Sequence, residues 1–191
     1  MNTENIIIAS LHHKTHVAEL WHGASGSAED LTGSEIPGGY IEVIRCVVER
    51  LYQEKLHPAG EPVNIAAPTS LWVSAALQAK KSGVAIHKII CPFSSMPWKD
   101  PALVCIGVGP EQARTYMRNI YRDADYILHP RTAAVYYAVQ AHRAALGEAT
   151  PTVILATESP LHAAKEICEV LCLQEDLRQV ITNSRKRFLE Y

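Results

Sequence analysis

The sequence predicts an α/β protein, specifically a three-layer α/β/α sandwich with a mostly parallel sheet. Five short apolar runs of strand length recur along the chain. Their near-continuous hydrophobicity is typical of strands that are covered by helices on both faces. Helical patterns lie between these runs, and strands that alternate with helices build parallel sheets through right-handed crossovers.

The five strands are predicted at residues 6–10, 63–67, 88–91, 103–108 and 153–157. A first helix is predicted over 40–56, where an amphipathic pattern places four apolar residues on one stripe. This stripe consists of Ile44, Val47, Val48 and Leu51. A second helix, over 70–82, stops at Gly83, a residue type suited to a helix C-cap.

Three more helices and a helical tail complete the pattern. Pro110 stands at the first position of a third helix that runs to about residue 122. A fourth helix, over 132–146, ends at Gly147, and a fifth, over 161–171, follows the last strand. The tail, 175–189, is predicted to be a final, exposed helix. Ligands in this architecture bind at the carboxyl ends of the strands. A site is therefore expected among the turns 67–74, 92–100, 108–112 and 157–162.

Composition and charge narrow the class of protein. The 191 residues, 48% of them hydrophobic, suit one domain over 1–191 with a single core. The net charge is −2 with scattered Lys and Arg, so no nucleic-acid surface is expected. No apolar run reaches the length of a membrane span, and the first residues lack the order of a signal peptide. Five cysteines without a CxxC pair are typical of reduced thiols, so we expect a soluble cytoplasmic protein with no membrane partner.

Three local motifs could carry chemistry, but each has a commoner structural role. His12 and His16 are spaced i, i+4, yet the HExxH pattern of zinc enzymes is absent and no metal is expected. Gly107 and Gly109 precede a helix, where glycines admit anions to backbone N–H groups, but the full G-x-G-x-x-G is missing. Lys99, in "MPWKDPAL", belongs to an aromatic–lysine–aspartate pattern found in some lysine-dependent enzymes, although a solvated turn is commoner.

Five segments occur in the order in which one enzyme family has them. Residues 17–31, "VAELWHGASGSAEDL", are similar to "LELFHGPTLAFKDF", and residues 34–56 to the helix that follows "SANSIN". Residues 63–91 are similar to a phosphate-loop unit with P-S/T-G-N-F-G-D after its first strand. Residues 116–135 resemble "GY…DPHTAVG", and "VILATESPLH" at 153–162 resembles "LATAHPAK".

These segments resemble threonine synthase, an enzyme of fold type II (the tryptophan-synthase-β type) that uses pyridoxal phosphate (PLP). The resemblance implies the α/β fold of that family's large domain. Most of the small N-terminal domain and its "SGDTG" substrate loop have no counterpart in this chain, so the chain resembles a shortened version of the enzyme.

The resemblance also implies where the cofactor would bind, and the chain departs from the family at those positions. Glu29 stands where the family has its Schiff-base lysine, and a carboxylate cannot form an imine. Residues 70–74, "SLWVS", replace G-N-F-G-D and lack both glycines, and Trp72 is expected to fill a core face. His129 and Arg131 depart from "DPHTAVG". The vestigial cofactor-binding candidates are Thr69, Ser70, Ser74 and Thr157, and helix capping is the commoner role for such residues.

Three functions remain open. The favoured one is a catalytically inactive, shortened relative that binds a partner or a small anionic or amino-acid-like ligand and holds no PLP, because the covalent lysine is lost. The second is a PLP-dependent threonine-synthase-type lyase whose lysine comes from Lys99 or another chain. The third is an unrelated α/β protein that binds a small anion or a nucleotide at a helix start. A homo-oligomer is expected, because a shortened sheet leaves an apolar face exposed.

Overall fold

The computed structural model describes residues 6–12, 16–22, 28–30, 39–97, 99–147, 149–174 and 176–180, with side chains placed over 6–9 and from 39 onward. Seven strands form one sheet in the order β3-β2-β1-β7-β4-β5-β6. Five of them run parallel: β1 (Ile6–His12), β4 (Val63–Ala66), β5 (Ile86–Cys91), β6 (Leu103–Cys105) and β7 (Thr152–Ala156). Two antiparallel strands, β2 (His16–His22) and β3 (Ala28–Asp30), extend the sheet beyond β1.

Helices cover the two faces of this sheet. The first face carries α1 (Tyr40–Gln53) and α2 (Ser70–Lys81). The second carries α3 (Pro110–Ala124), α4 (Pro130–Leu146), a 3-10 turn (Pro160–Ala163) and α5 (Ala164–Leu171). The predicted three-layer α/β/α sandwich is therefore confirmed, and each of the five predicted strands corresponds to one parallel strand.

The side chains of the parallel strands alternate between two cores, as the period of a strand requires. In β1, Ile7 and Ala9 pack with α1 and α2, whereas Ile6 and Ile8 pack with the helices of the other face. In β7, Val153 and Leu155 face the first core and Ile154 the second. Strands buried on both faces read as continuous apolar runs, which is why the sequence revealed them.

The direction of the connections creates a switch point between β4 and β7. These strands are parallel neighbours with Ala66 opposite Ile154. The chain leaves β4 into α2, on the first face, but leaves β7 into the 3-10 turn and α5, on the second. Such a divergence opens a crevice at the carboxyl ends of the two strands, where ligands bind in open α/β sheets.

The structure also places the histidine pair and the start of the predicted tail helix. His12 and His16 lie opposite each other in the antiparallel pair of β1 and β2. In the tail, residues 177–180 are helical, as predicted; Leu177 is buried in the second core, whereas Asp176, Arg178 and Gln179 are exposed. Residues 181–189, which complete the predicted tail helix, lie outside the described residues.

Candidate functional site

Three of the four residues predicted to form the site follow the ends of the neighbouring strands β4 and β7. Thr69 comes three residues after Ala66, and Thr157 comes three residues after Ile154, the residue paired with Ala66. Ser70 is the first residue of α2. The register therefore places Thr69, Ser70 and Thr157 at the carboxyl edge on either side of the switch point, and we call these three residues the switch-point hydroxyls.

Thr69 caps α2. Its backbone is extended, and its Oγ1 accepts a hydrogen bond from the backbone N–H of Trp72 at 3.5 Å. This bond satisfies one of the N–H groups that the first turn of a helix leaves without a partner. Ser70 is exposed, and Thr157 is half-buried. The commoner of the two roles considered for Thr69, helix capping, is the one that the structure records.

Trp72 belongs to the core. Its side chain is only 3% exposed, and its ring meets that of Tyr40 in α1 edge-to-face, with the centroids 4.8 Å apart. Every residue of the segment 70–74 carries a Cβ, so no glycine lets a phosphate group approach this backbone as closely as in a glycine-lined loop.

Ser74, the fourth predicted residue, does not join the other three. It lies one turn further along α2 and lines a groove on the first face, between α2 and the start of α1. The groove has a volume of about 380 Å³, and its other lining residues are Gly39, Tyr40, Ile41, Glu42, Leu71, Ala75 and Gln78.

A polar cluster beside the switch point, in which only the histidine is buried, was not anticipated from the sequence. His129 precedes α4 and Glu158 follows Thr157, and His129 Nε2 lies 3.1 Å from Glu158 Oε2. Arg131 forms an ion pair with the other carboxylate oxygen of Glu158. The backbone N–H of Arg131 donates to His129 Nδ1 at 3.2 Å, so His129 is the N-cap of α4. We call His129, Arg131 and Glu158 the His–Glu–Arg cluster.

The partners of His129 assign its tautomer and its protonation state. Nδ1 accepts a hydrogen bond, so Nε2 carries the proton that is donated to Glu158. Burial lowers the pKa of His129 below its ordinary value of 6.5; Glu158 opposes this shift and Arg131 adds to it. Both ring nitrogens are engaged, so this neutral histidine positions Glu158 and caps α4. It has no free lone pair with which to act as a general base.

The glycines before α3 serve packing and capping. A Cβ on Gly107 would lie 2.6 Å from the Oγ of Ser94, a residue in the turn after β5, so the Ser94 hydroxyl would have to turn away to admit a side chain there. The N–H of Gly109 donates to Gln112 Oε1 at 2.6 Å, and Gln112 Nε2 donates to the Tyr137 hydroxyl at 2.8 Å. Because the Gly109 N–H group is already bonded within the chain, the structure favours a capped loop over an anion site.

Glu29, which stands where the family has its lysine, and Lys99, the alternative cofactor lysine, both lie away from the switch-point hydroxyls. Glu29 is in β3, four strand positions from β4, which is a lateral separation of about 19 Å at the usual spacing of about 4.8 Å. Lys99 is exposed and leads into the amino end of β6, whereas the switch-point hydroxyls follow carboxyl ends. Trp98, its aromatic neighbour, lies outside the described residues.

In the part of the chain that the structure describes, no group of three or more His, Cys, Asp and Glu side chains is arranged to hold a metal ion. None of the helices there combines the length and the apolar composition needed to cross a membrane.

Comparison with known proteins finds similarity of fold. No family model and no curated protein matches the sequence. Threonine synthase from Escherichia coli superposes with a TM-score of 0.59 and 16% sequence identity, over 76% of this chain and 43% of that one. PLP-bound threonine synthase from Brucella melitensis superposes with a TM-score of 0.55 and 11% sequence identity, over 76% of this chain and 46% of that one. For threonine synthase from yeast the TM-score is 0.54 and the sequence identity 15%, over 74% of this chain and 47% of that one.

These matches establish a fold, at identities that do not establish an activity. In each case the matched region spans less than half of the threonine synthase. The predicted resemblance is therefore confirmed as far as the α/β architecture of PLP enzymes of fold type II. The chain is similar in fold to part of threonine synthase.

Proposed function

We propose that this chain is a catalytically inactive, shortened relative of threonine synthase that binds a small anionic or amino-acid-like ligand at the switch point. The main support for this proposal is that Thr69, Ser70 and Thr157 follow the carboxyl ends of the neighbouring strands β4 and β7. Ligands of open α/β sheets bind at this position. The N-terminus of α2, a helix of 12 residues, adds backbone N–H groups and the positive end of a helix dipole.

The residues at this site do not fit PLP. That cofactor needs a lysine for its imine and a backbone that approaches its phosphate closely. Residues 70–74 all carry side chains, and the Thr69 hydroxyl is engaged with the Trp72 N–H. Glu29 lies in β3 and Lys99 in the loop before β6, so neither follows the carboxyl end of β4 or β7. These observations support a site without covalent cofactor chemistry and disfavour a lyase that uses Lys99.

The first experiment tests for the cofactor. The protein is titrated with PLP, followed by absorbance, reduced with borohydride and mapped by mass spectrometry. We expect no lysine to be modified stoichiometrically, and any slow labelling to be spread over several lysines. The variant Lys99→Ala should behave as the wild type does. One stoichiometric, reducible imine at a single lysine would instead establish the PLP-enzyme alternative.

The second experiment tests for ligand binding. Thermal unfolding is followed with inorganic phosphate and, separately, with L-aspartate as probes, because a ligand that binds only the folded state raises its stability by about 2.7 kcal/mol at a hundred times Kd. We expect one probe to raise Tm, and Thr157→Val to remove that rise. Thr115→Val, on the exposed surface of α3, is the matched control and should keep it. Equal responses of the two variants, or no response to either probe, would refute the proposed site.

A further inference from the structure

Two cysteines stand side by side at the carboxyl edge of the sheet, on strands away from the switch point. Cys91 ends β5 and Cys105 ends β6, and the two residues are Cα partners in this parallel pair. Their Sγ atoms are 3.6 Å apart. Both thiols are free. The proposed function makes no use of them.

The backbone already has the spacing that a disulfide requires. Neighbouring strands lie about 4.8 Å apart, and the Cα atoms of disulfide-bonded cysteines usually lie about 4.4–6.8 Å apart. The two sulfurs need to approach from 3.6 Å to about 2 Å, a movement within reach of side-chain rotation. The strands therefore do not have to separate or slide for a bond to form.

We propose that Cys91 and Cys105 form a reversible dithiol–disulfide site whose oxidants are hydroperoxides. The Cys105 thiolate attacks the peroxide; the O–O bond breaks, and Cys105 becomes a sulfenic acid while the peroxide is reduced to an alcohol or water. The Cys91 thiol then displaces the sulfenic hydroxyl as water, and the S–S bond forms. Two thiols lose two electrons and two protons in all, and a dithiol reductant reverses the reaction.

The different environments of the two sulfurs assign their order of reaction. Cys105 is partly exposed, whereas Cys91 is fully buried, so only Cys105 is open to an oxidant from solvent. Burial, and next the hydrogen bond with Cys105, raise the pKa of Cys91 to about 12. A thiol held protonated in this way reacts poorly with peroxide, so the first step belongs to Cys105 and the intramolecular step is left to Cys91.

Bond formation would tie together the turns that follow the two strands. Ser94 follows β5 and Gly107 follows β6, and these residues are already so close that a Cβ on Gly107 would meet Ser94 Oγ. A covalent link between Cys91 and Cys105 would hold this corner of the carboxyl edge in one arrangement. We therefore infer that oxidation of this site fixes the turns at the sheet edge where ligands of this fold bind.

The chain allows a direct test by mass spectrometry. Trypsin cleavage after Lys88, Lys99 and Arg114 places Cys91 and Cys105 in separate peptides, 89–99 and 100–114, and Cys46 in a third, 46–50. The folded protein is treated with hydrogen peroxide, free thiols are alkylated, and the digest is examined without reduction. We expect a linked pair of peptides 89–99 and 100–114, two hydrogens lighter than the sum of the two. Its yield should be about tenfold above that of any pair with Cys46, which lies on α1 and not on a strand beside Cys91 or Cys105.

Variants separate the proposed pair from general oxidation. Cys91→Ser and Cys105→Ser should each abolish the linked pair, and dithiothreitol should restore both thiols in the wild type. Cys46→Ser is the matched control and should leave the yield unchanged. In Cys91→Ser, a dimedone-type reagent should trap the sulfenic acid on Cys105, which keeps the test informative without the linkage. Alkylation of both Cys91 and Cys105 after oxidation, at conditions that oxidise the exposed Cys172, would overturn the proposal.

Discussion

His129 shows how one buried residue links helix capping to pH. Its side chain is 8% exposed, donates a hydrogen bond to Glu158 and accepts one from the N–H of Arg131, so the folded state stabilises the neutral form of the imidazole. Burial lowers its pKa, with Glu158 and Glu166 acting against burial and Arg131 and His162 acting with it. In the unfolded chain the same side chain takes up a proton near its ordinary pKa of 6.5. Folding and protonation of His129 therefore oppose each other.

The sign of the resulting pH dependence follows from this linkage. Below pH 6.5 the unfolded state binds a proton that the folded state binds less readily, so the free energy of unfolding falls as the pH is lowered from 7 to 5. The contribution of His129 is at most about 1.4 kcal/mol for each pH unit. Urea unfolding measured across this range should show a shallower fall in His129→Asn, because asparagine keeps a capping side chain and does not titrate. His87→Asn, at an exposed position of β5, is the control and should retain the wild-type slope.

Thr69 provides a second prediction at the scale of the residue. Its hydroxyl caps the Trp72 N–H, so Thr69→Ala should lower the free energy of unfolding by about 1 kcal/mol, whereas Thr69→Ser should keep most of it. Urea denaturation of the two variants measures the difference. If alanine and serine had the same effect, the hydroxyl would have no capping role.

At the scale of the element, α2 packs against the first core along most of its length. Trp72, Val73 and Ala76 are buried against the first core, and Leu71, between Ser70 and Trp72, is 50% exposed. Trp72→Ala should destabilise the protein by about 3–5 kcal/mol, because a large buried ring leaves a cavity. Leu71→Ala, at the neighbouring exposed position, should stay within about 0.5 kcal/mol of the wild type. Chemical denaturation compares them, and a small loss for Trp72→Ala would contradict the assigned core role.

The elements were predictable from the sequence where one local signal decides them. Buried strands are continuous apolar runs, and Pro110 and Gly147 mark helix ends at the positions where the structure has them. Pro130 carries the same signal, and weighing it would have started α4 two residues earlier, with His129 as its cap. The strands β2 and β3 were not predicted, because neither "HVAELWH" nor the three residues "AED" forms the continuous apolar run that marks a buried strand.

At the scale of the whole molecule, the site depends on topology. The sequence indicated which turns follow strands, but it did not indicate that β4 and β7, far apart in the chain, are neighbours. That neighbourhood brings Thr157 to the edge that carries Thr69 and sets Glu158 against His129. Ser74 was grouped with Thr69 because both fall in the segment that resembles a phosphate loop, but Ser74 lies one turn further along α2 and lines the groove on the first face. The sequence thus identified polar residues at the start of α2 but did not show which of them share one surface.

The surface at this edge leads to a prediction about assembly. Large apolar side chains are exposed on the two elements that follow β4 and β7: Leu71 in the first turn of α2, which also lines the groove on the first face, is 50% exposed, and Leu161 in the 3-10 turn is 39% exposed. Apolar groups gathered at one edge favour association, and identical chains associate most often as two-fold dimers. We therefore predict a homo-oligomer at micromolar concentration that buries this edge.

Light scattering coupled to size-exclusion chromatography tests this assembly by measuring the molar mass of the wild type and of two single-leucine variants. Leu71→Glu places a charge in the proposed interface and should shift the protein to a monomer, because an unpaired charge is costly to bury. Leu146 is the matched control: it is 65% exposed but ends α4, where the chain approaches the amino end of β7 at the opposite edge of the sheet. Leu146→Glu should leave the oligomer intact. A monomeric wild type, or dissociation by the Leu146 substitution and not by that of Leu71, would show that the carboxyl edge is not the assembly surface.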